Sequence, residues 1–109
     1  MPWDVLVHPD AVDELAKLPA NERAAIDSAL DKLRERGTDL PFPHTSAVVD
    51  ADRLWELRPR GGNSPWRAFY RRMGAKLVIV GAIGHHDKRK YRRAVAVAVE
   101  RLNDLKEDW

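Results

Sequence analysis

Three segments rich in Trp, Phe, Tyr, Val and Ile stand in a row: Arg53 to Arg58, Pro65 to Met73 and Lys76 to Ile83. They are divided by Gly61-Gly62-Asn63-Ser64 and by Gly74-Ala75. Aromatic and β-branched side chains fit the pleated surface of a strand, and short glycine-containing links are the connections of hairpins. The pattern predicts three consecutive strands in an antiparallel meander. A chain of 109 residues has room for one core and therefore one domain, residues 1–109, so every other segment must extend this sheet or pack on it.

The flanking segments supply both. Trp3 to His8 alternates Val5 and Val7 against Asp4, Leu6 and His8, the period of a strand, and Pro9 ends it while suiting the first turn of a helix. Val12, Leu15 and Ala16 mark a helix over residues 9–18 that closes near Pro19. Asn21 is the expected N-cap of a second helix, with Ile26, Ala29, Leu30 and Leu33 as its apolar stripe and Gly37 as its stop. Residues 38–52, with Pro41, Pro43 and no sustained period, read as an ordered connection. The last segment fits two templates. Val95, Val97 and Val99 alternate with alanines as in a strand, whereas Tyr91, Val95, Ala98, Leu102 and Leu105 fall on one helical stripe. That stripe is longer than common strands, so a C-terminal helix is expected, with Trp109 mobile at the end. The expected fold is α+β: a small antiparallel sheet of an N-terminal strand plus the three-strand meander, packed with an N-terminal helical hairpin and a C-terminal helix.

Charge is segregated along the chain. Residues 1–52 carry 5 Lys/Arg and 11 Asp/Glu, a net of −6, whereas residues 53–93 carry 12 Lys/Arg and 2 Asp/Glu, a net of +10. Clustered Arg and Lys create a local positive potential whatever the net charge of the whole, and a phosphate backbone is the partner such a segment suits. A lack of cysteine excludes disulfides and thiolate metal sites and fits a reducing cytoplasm. The start has neither the basic nor the apolar region of a secretory leader. The longest apolar run, Leu77 to Gly84, is far shorter than the roughly 20 residues of a membrane-spanning helix, so no membrane association is expected.

The order of elements and several local strings resemble the RelE/ParE superfamily of toxins, and within it the branch that contains HigB. The strings are Trp3-Asp4-Val5, Leu54-Trp55-Glu56-Leu57-Arg58 and Trp66-Arg67-Ala68-Phe69-Tyr70, with Leu40-Pro41-Phe42-Pro43 approaching the sheet and Arg101-Leu102 in the final helix. The resemblance covers nearly the whole chain. It implies the toxin of a type II toxin-antitoxin system, a ribosome-dependent endoribonuclease that enters the ribosomal A site, cleaves messenger RNA and inhibits translation. It also implies a cognate antitoxin, often a helix-turn-helix DNA-binding protein, and a complex of higher order. Members of the ParE branch act on gyrase instead, so a non-cleaving or gyrase-directed protein acting by binding is the alternative.

RNA cleavage without a metal needs a base for the 2′-hydroxyl, cations for the charge growing on the phosphate, and an acid for the leaving 5′-oxygen. Arg58 and Arg67 match family positions that contact the scissile phosphate, and paired guanidiniums suit that role. The alternative for both is a surface salt bridge. Gly84 to Tyr91 follows the last strand, where the family places acid-base residues or a Lys-Lys pair; the aromatic-x-Lys-Lys pattern is absent, and His85, His86, Lys88 and Tyr91 stand there. Either histidine offers a base or an acid near neutral pH, while Lys88 or Tyr91 offers a stabilising or protonating group. Arg53, Arg60, Arg71, Arg72, Lys76, Arg89 and Lys90 are assigned to the RNA backbone. His85-His86-Asp87 is a poor chelate, because neighbours on an extended chain point to opposite sides, so neither metal nor other cofactor is expected. His8 and His44 read as capping or turn residues, and Trp55 and Trp66 as packing anchors.

Overall fold

A computed structural model describes residues 2–105; Trp109 lies outside them. The elements run β1 (Asp4–Val7), α1 (Pro9–Ala16), α2 (Ala20–Arg36), β2 (Thr45–Ala47), β3 (Trp55–Leu57), β4 (Trp66–Gly74), β5 (Leu77–His85) and α3 (Lys88–Leu105), with 3-10 turns at Gly37–Asp39 and Pro59–Gly62. The five strands form one sheet in the order β1-β5-β4-β3-β2. The meander β3-β4-β5 is antiparallel as the sequence predicts. β1, however, lies parallel to β5, with Leu6 opposite Ile79, so the sheet is mixed rather than wholly antiparallel. The two helices after β1 form a connection long enough for a parallel return, which a hairpin cannot provide.

The sheet separates two apolar clusters. On one face Ile26, Ala29, Leu30 and Leu33, the predicted stripe of α2, meet Ala11 of α1 and Leu57, Ala68, Tyr70, Val78 and Val80 of the sheet. On the other, Ala98 and Leu102 of α3 meet Leu54, Phe69, Ile79 and Ala82, with Tyr91, Val95 and Leu105 packed at the margin. The helical reading of the last segment is therefore the one the molecule adopts. Alternation along β4 assigns Ala68 and Tyr70 to the hairpin face and Arg67, Phe69 and Arg71 to the α3 face.

Five details differ from expectation. α2 starts at Ala20, capped by Pro19, whose carbonyl accepts from Glu22 and Arg23; Asn21 sits inside the helix and is not the N-cap. Residues 45–47 of the expected connection are an edge strand, Thr-Ser-Ala, with no apolar alternation to reveal it. β3 is shorter than Arg53 to Arg58, since Arg53 has φ 51° and a 3-10 turn begins at Pro59. β5 runs past Ile83, because Gly84 and His85 still pair with Arg67 and Trp66. Gly84 is a docking surface rather than a turn: a Cβ there would overlap that of Ala94, so its absence lets the start of α3 lie on the sheet. Trp55 is 41% exposed and anchors no core, whereas Trp66 does pack against the hairpin-side cluster.

Candidate active site

Close docking of α3 brings Tyr91 over the sheet, its ring edge-on to Phe69 at 5.2 Å between centroids. Phe69 pairs with Glu56 of β3, so Glu56 emerges on the same face, and Arg67, two residues before Phe69, emerges beside it. Arg58, two residues beyond Glu56, reaches back from the end of β3. Four polar side chains thus converge on an aromatic floor. Arg58 Nη1 donates to Glu56 Oε1 at 2.7 Å, Arg67 Nε lies 3.8 Å from the same oxygen, and the Tyr91 hydroxyl donates to Glu56 Oε2. Side-chain exposure is 8% for Glu56, 7% for Arg67 and 22% for Arg58, so the cluster opens to solvent at Arg58.

Each guanidinium is also held from behind. Arg58 Nε donates to the carbonyl of Pro43, and Arg67 Nη1 donates to those of Ser64 and Trp66. Among the described residues neither Nη2 group donates to a protein acceptor, and that of Arg58 lies against Gly62, where a Cβ would meet it. Burial, then the like charge of Arg58, holds the Arg67 pKa below the usual guanidinium value. Burial, then the bond to Glu56, pushes the Tyr91 phenol well up, so it stays protonated and donates.

The histidine pair stands where β5 meets α3. His85 packs edge-on to Trp66 at 5.0 Å between centroids and lies 4.8 Å from His86. Its Nδ1 accepts from the Asp87 N–H, which assigns its proton to Nε2. His86 Nδ1 faces the carbonyl of Pro65 at 3.2 Å, which assigns the opposite tautomer. Burial, followed by the charges of His86 and Lys90, holds the His85 pKa below 6.5. Lys88 lines a groove with Val49, Asp50, Tyr91 and Arg92 next to the cluster. Among the described residues no three His, Asp or Glu side chains converge as metal ligands do.

Of the predicted cations, Arg89 and Lys90 lie exposed in the first turn of α3, beside the histidines. Arg53 is exposed, with Nε 3.7 Å from Asp52. Arg60 pairs with Glu22. Arg71 is buried and bonds to the carbonyls of Asp52 and Arg53 and to Asn103, tying the approach to β3 onto α3. Arg72 and Lys76 lie at the other end of the sheet, both over the Trp3 ring. Sequence reasoning missed Glu56. The signal was there: it is the one acidic residue between Arg53 and His86.

A mixed five-stranded sheet with a helical hairpin on one face and a single helix on the other is the architecture of RelE-type toxins. The chain superposes on Escherichia coli RelE, a mutant in the free state, with a TM-score of 0.65 at 18% identity, covering 88% of this chain and 97% of that one. It superposes on the RelBE2 toxin-antitoxin complex of Mycobacterium tuberculosis with a TM-score of 0.59 at 20% identity, over 78% and 99% of the two chains. For the archaeal RelE-RelB complex of Pyrococcus horikoshii the values are 0.56 and 19%, over 81% and 99%. At these identities the likeness establishes the fold. No curated protein matches the chain. The chain belongs to the family of phage-derived Gp49-like proteins (DUF891), whose model matches residues 13–103.

Proposed function

We propose that this chain is the toxin of a type II toxin-antitoxin pair and that it cleaves messenger RNA on the ribosome, in the manner of the HigB-containing branch it resembles. The observation that carries the reading is the convergence of Arg58 and Arg67 on Glu56, with Arg58 at the edge that meets solvent. A phosphodiester entering at Arg58 competes for both guanidiniums and loosens their hold on Glu56, leaving a carboxylate beside the phosphate. Glu56 then takes the proton of the adjacent 2′-hydroxyl, and the 2′-oxygen attacks phosphorus while the arginines hold the added charge. The bond to the 5′-oxygen breaks, and that oxygen leaves with a proton that water carries from Nε2 of a protonated His85, since His85 pairs with Trp66 and not with the residues of the Glu56 face. The products are a 2′,3′-cyclic phosphate and a 5′-hydroxyl end.

Tyr91, whose phenol is a poor acid here, positions Glu56, and His86 braces His85. Lys88, Arg89, Lys90 and the exposed Arg53 attract the RNA backbone; Arg71 is buried and has a structural part, and Arg72 and Lys76 lie too far along the sheet to share in the reaction. RelE chains of the same fold are found in complex with antitoxins. By extension the partner of this chain is an antitoxin, a helix-turn-helix DNA-binding protein in the HigB case, in a cytoplasmic assembly of two or four chains.

The test is tightly induced expression of the wild type beside Arg58→Ala/Arg67→Ala, following growth and mapping new 5′-hydroxyl ends in messenger RNA. Growth arrest with fresh ends inside translated regions, absent in a folded double mutant, is the expected result. One observation favours a second reading, binding without cleavage, with gyrase in place of the ribosome as the alternative target: Arg67 is buried and two backbone carbonyls engage its Nη1. A wild type that arrests growth without new RNA ends would establish it, and relaxed plasmid supercoiling would direct it to gyrase.

A further inference from the structure

Phe42 is an apolar ring set out in water, 71% exposed. The Arg58 guanidinium carbon lies 5.4 Å from its centroid, and Arg58 Nε binds the carbonyl of the next residue, Pro43. The neighbours Leu40 and His44 line a cleft of about 320 Å3 between α2 and the chain that leads into β2 and out of β3. Ala25, Ser28 and Lys32 form one wall of that cleft, and His44, Arg58 and Arg60 form the other. Arg58 is therefore shared between the cleft and the Glu56 cluster.

We propose that Phe42 and Arg58 seat a nucleotide beside this cleft, with an RNA base on the ring of Phe42, which stands outside the lining, and its phosphate on Arg58, which belongs to it. An exposed aromatic face beside a guanidinium is the arrangement on which unpaired bases stack, and it tolerates any base. The imidazole of His44, two residues on and in the cleft lining, offers a hydrogen bond to a base edge. An acidic peptide fits less well, because Glu22 already matches the charge of Arg60 at 3.0 Å and leaves Lys32 and Arg58 to face a row of carboxylates. The seat thus holds the nucleotide flanking the cleaved bond. It rests on the ribonuclease reading for its substrate, though not for its binding chemistry.

Adenosine 3′-phosphate and inorganic phosphate serve as probes, titrated separately into the purified chain and followed by NMR shifts of Phe42, His44 and Ala25. The wild type is expected to bind the nucleotide more tightly than phosphate. Phe42→Ala should weaken the nucleotide roughly tenfold and leave phosphate unchanged, Phe42→Trp should restore it, and Arg58→Ala should weaken both. Equal affinity for the two probes, a nucleotide affinity unmoved by Phe42→Ala, or shifts at the cleft only with an oligo-glutamate peptide would each overturn the seat. RNA cleavage in cells with Phe42→Ala silent in the titration removes the seat and keeps the ribonuclease. A working seat in a protein that cuts nothing does the reverse.

Discussion

Glu56 is a buried carboxylate that two guanidiniums and a phenol hold in place, and its loss is expected to register twice. Glu56→Ala leaves Arg67 buried beside Arg58 without its counter-charge, which should cost about 3 kcal/mol in chemical denaturation and abolish cleavage. Glu56→Gln keeps the volume and should cost less stability while still abolishing cleavage; a Gln variant that cuts normally would remove Glu56 from the role of base. His85 carries a pH signature. As proton donor it works only when protonated, so the cleavage rate is expected to fall as pH rises through a value below 6.5, and His85→Ala should slow the reaction and erase that limb. Stability moves the other way. The unfolded imidazole takes its proton near 6.5 and the folded one only lower, so acidification favours the unfolded chain; the stabilisation is complete above 6.5 and declines as pH falls through the folded value. Thermal melts of wild type and His85→Ala between pH 7.5 and 5 would show the difference. That Arg58, Arg67 and Tyr91 belong to one candidate site was legible from their place in the strings and after the final strand, and the structure brings these three together. The place of Glu56 in the cluster was not, because what completes it is a partner on α3, 35 residues away, and a linear reading cannot supply that contact.

At the scale of elements, the position of α3 depends on two small residues facing each other, Gly84 and Ala94. Gly84→Ala is expected to destabilise the fold by about 1–3 kcal/mol and to impair the site, since it pushes the first turn of α3 and with it Tyr91 away from Glu56. Ala94→Gly should cost about 1 kcal/mol alone through helix propensity, yet partly rescue Gly84→Ala when the two are combined. Additive losses in that cycle would show that the contact does not set the helix. The sequence disclosed the strongly periodic elements: the stripes of α2 and α3 and the three-strand meander all lie where alternation or helical spacing put them. β2 escaped because Thr45-Ser46-Ala47 is an edge strand held by backbone pairing and by a hydrogen bond between the hydroxyls of Tyr70 and Thr45, neither of which leaves a hydrophobic pattern. The parallel course of β1 escaped for a related reason, since alternation reports which face is buried and not which way the neighbour runs.

The whole molecule turns the charge segregation of its sequence into a division of labour. Acids of the helical hairpin partner isolated cations, Glu14 with Arg101 and Glu22 with Arg60, and so join the layers to one another. Three cations with no ion-pair partner among the described residues, Lys88, Arg89 and Lys90, occupy the first turn of α3, with no acid in that turn. A helix N-terminus already carries partial positive charge, so these three residues oppose the stability of their own helix. A partner that is itself a polyanion relieves that opposition. Arg89→Gln/Lys90→Gln is therefore expected to have opposite effects on the two sides. It should raise the unfolding free energy by a few tenths to about 1 kcal/mol, and it should weaken single-stranded RNA binding with a loss of roughly 1.4 from the slope of log affinity against log salt, about 0.7 for each lost phosphate contact. Melting curves and RNA titrations across a salt series measure both on the same protein. A stabilised variant with an unchanged salt slope would mean that the basic turn does not meet the nucleic acid. A destabilised one would mean that Arg89 and Lys90 belong to the structural ion pairs, as Arg60 and Arg101 do.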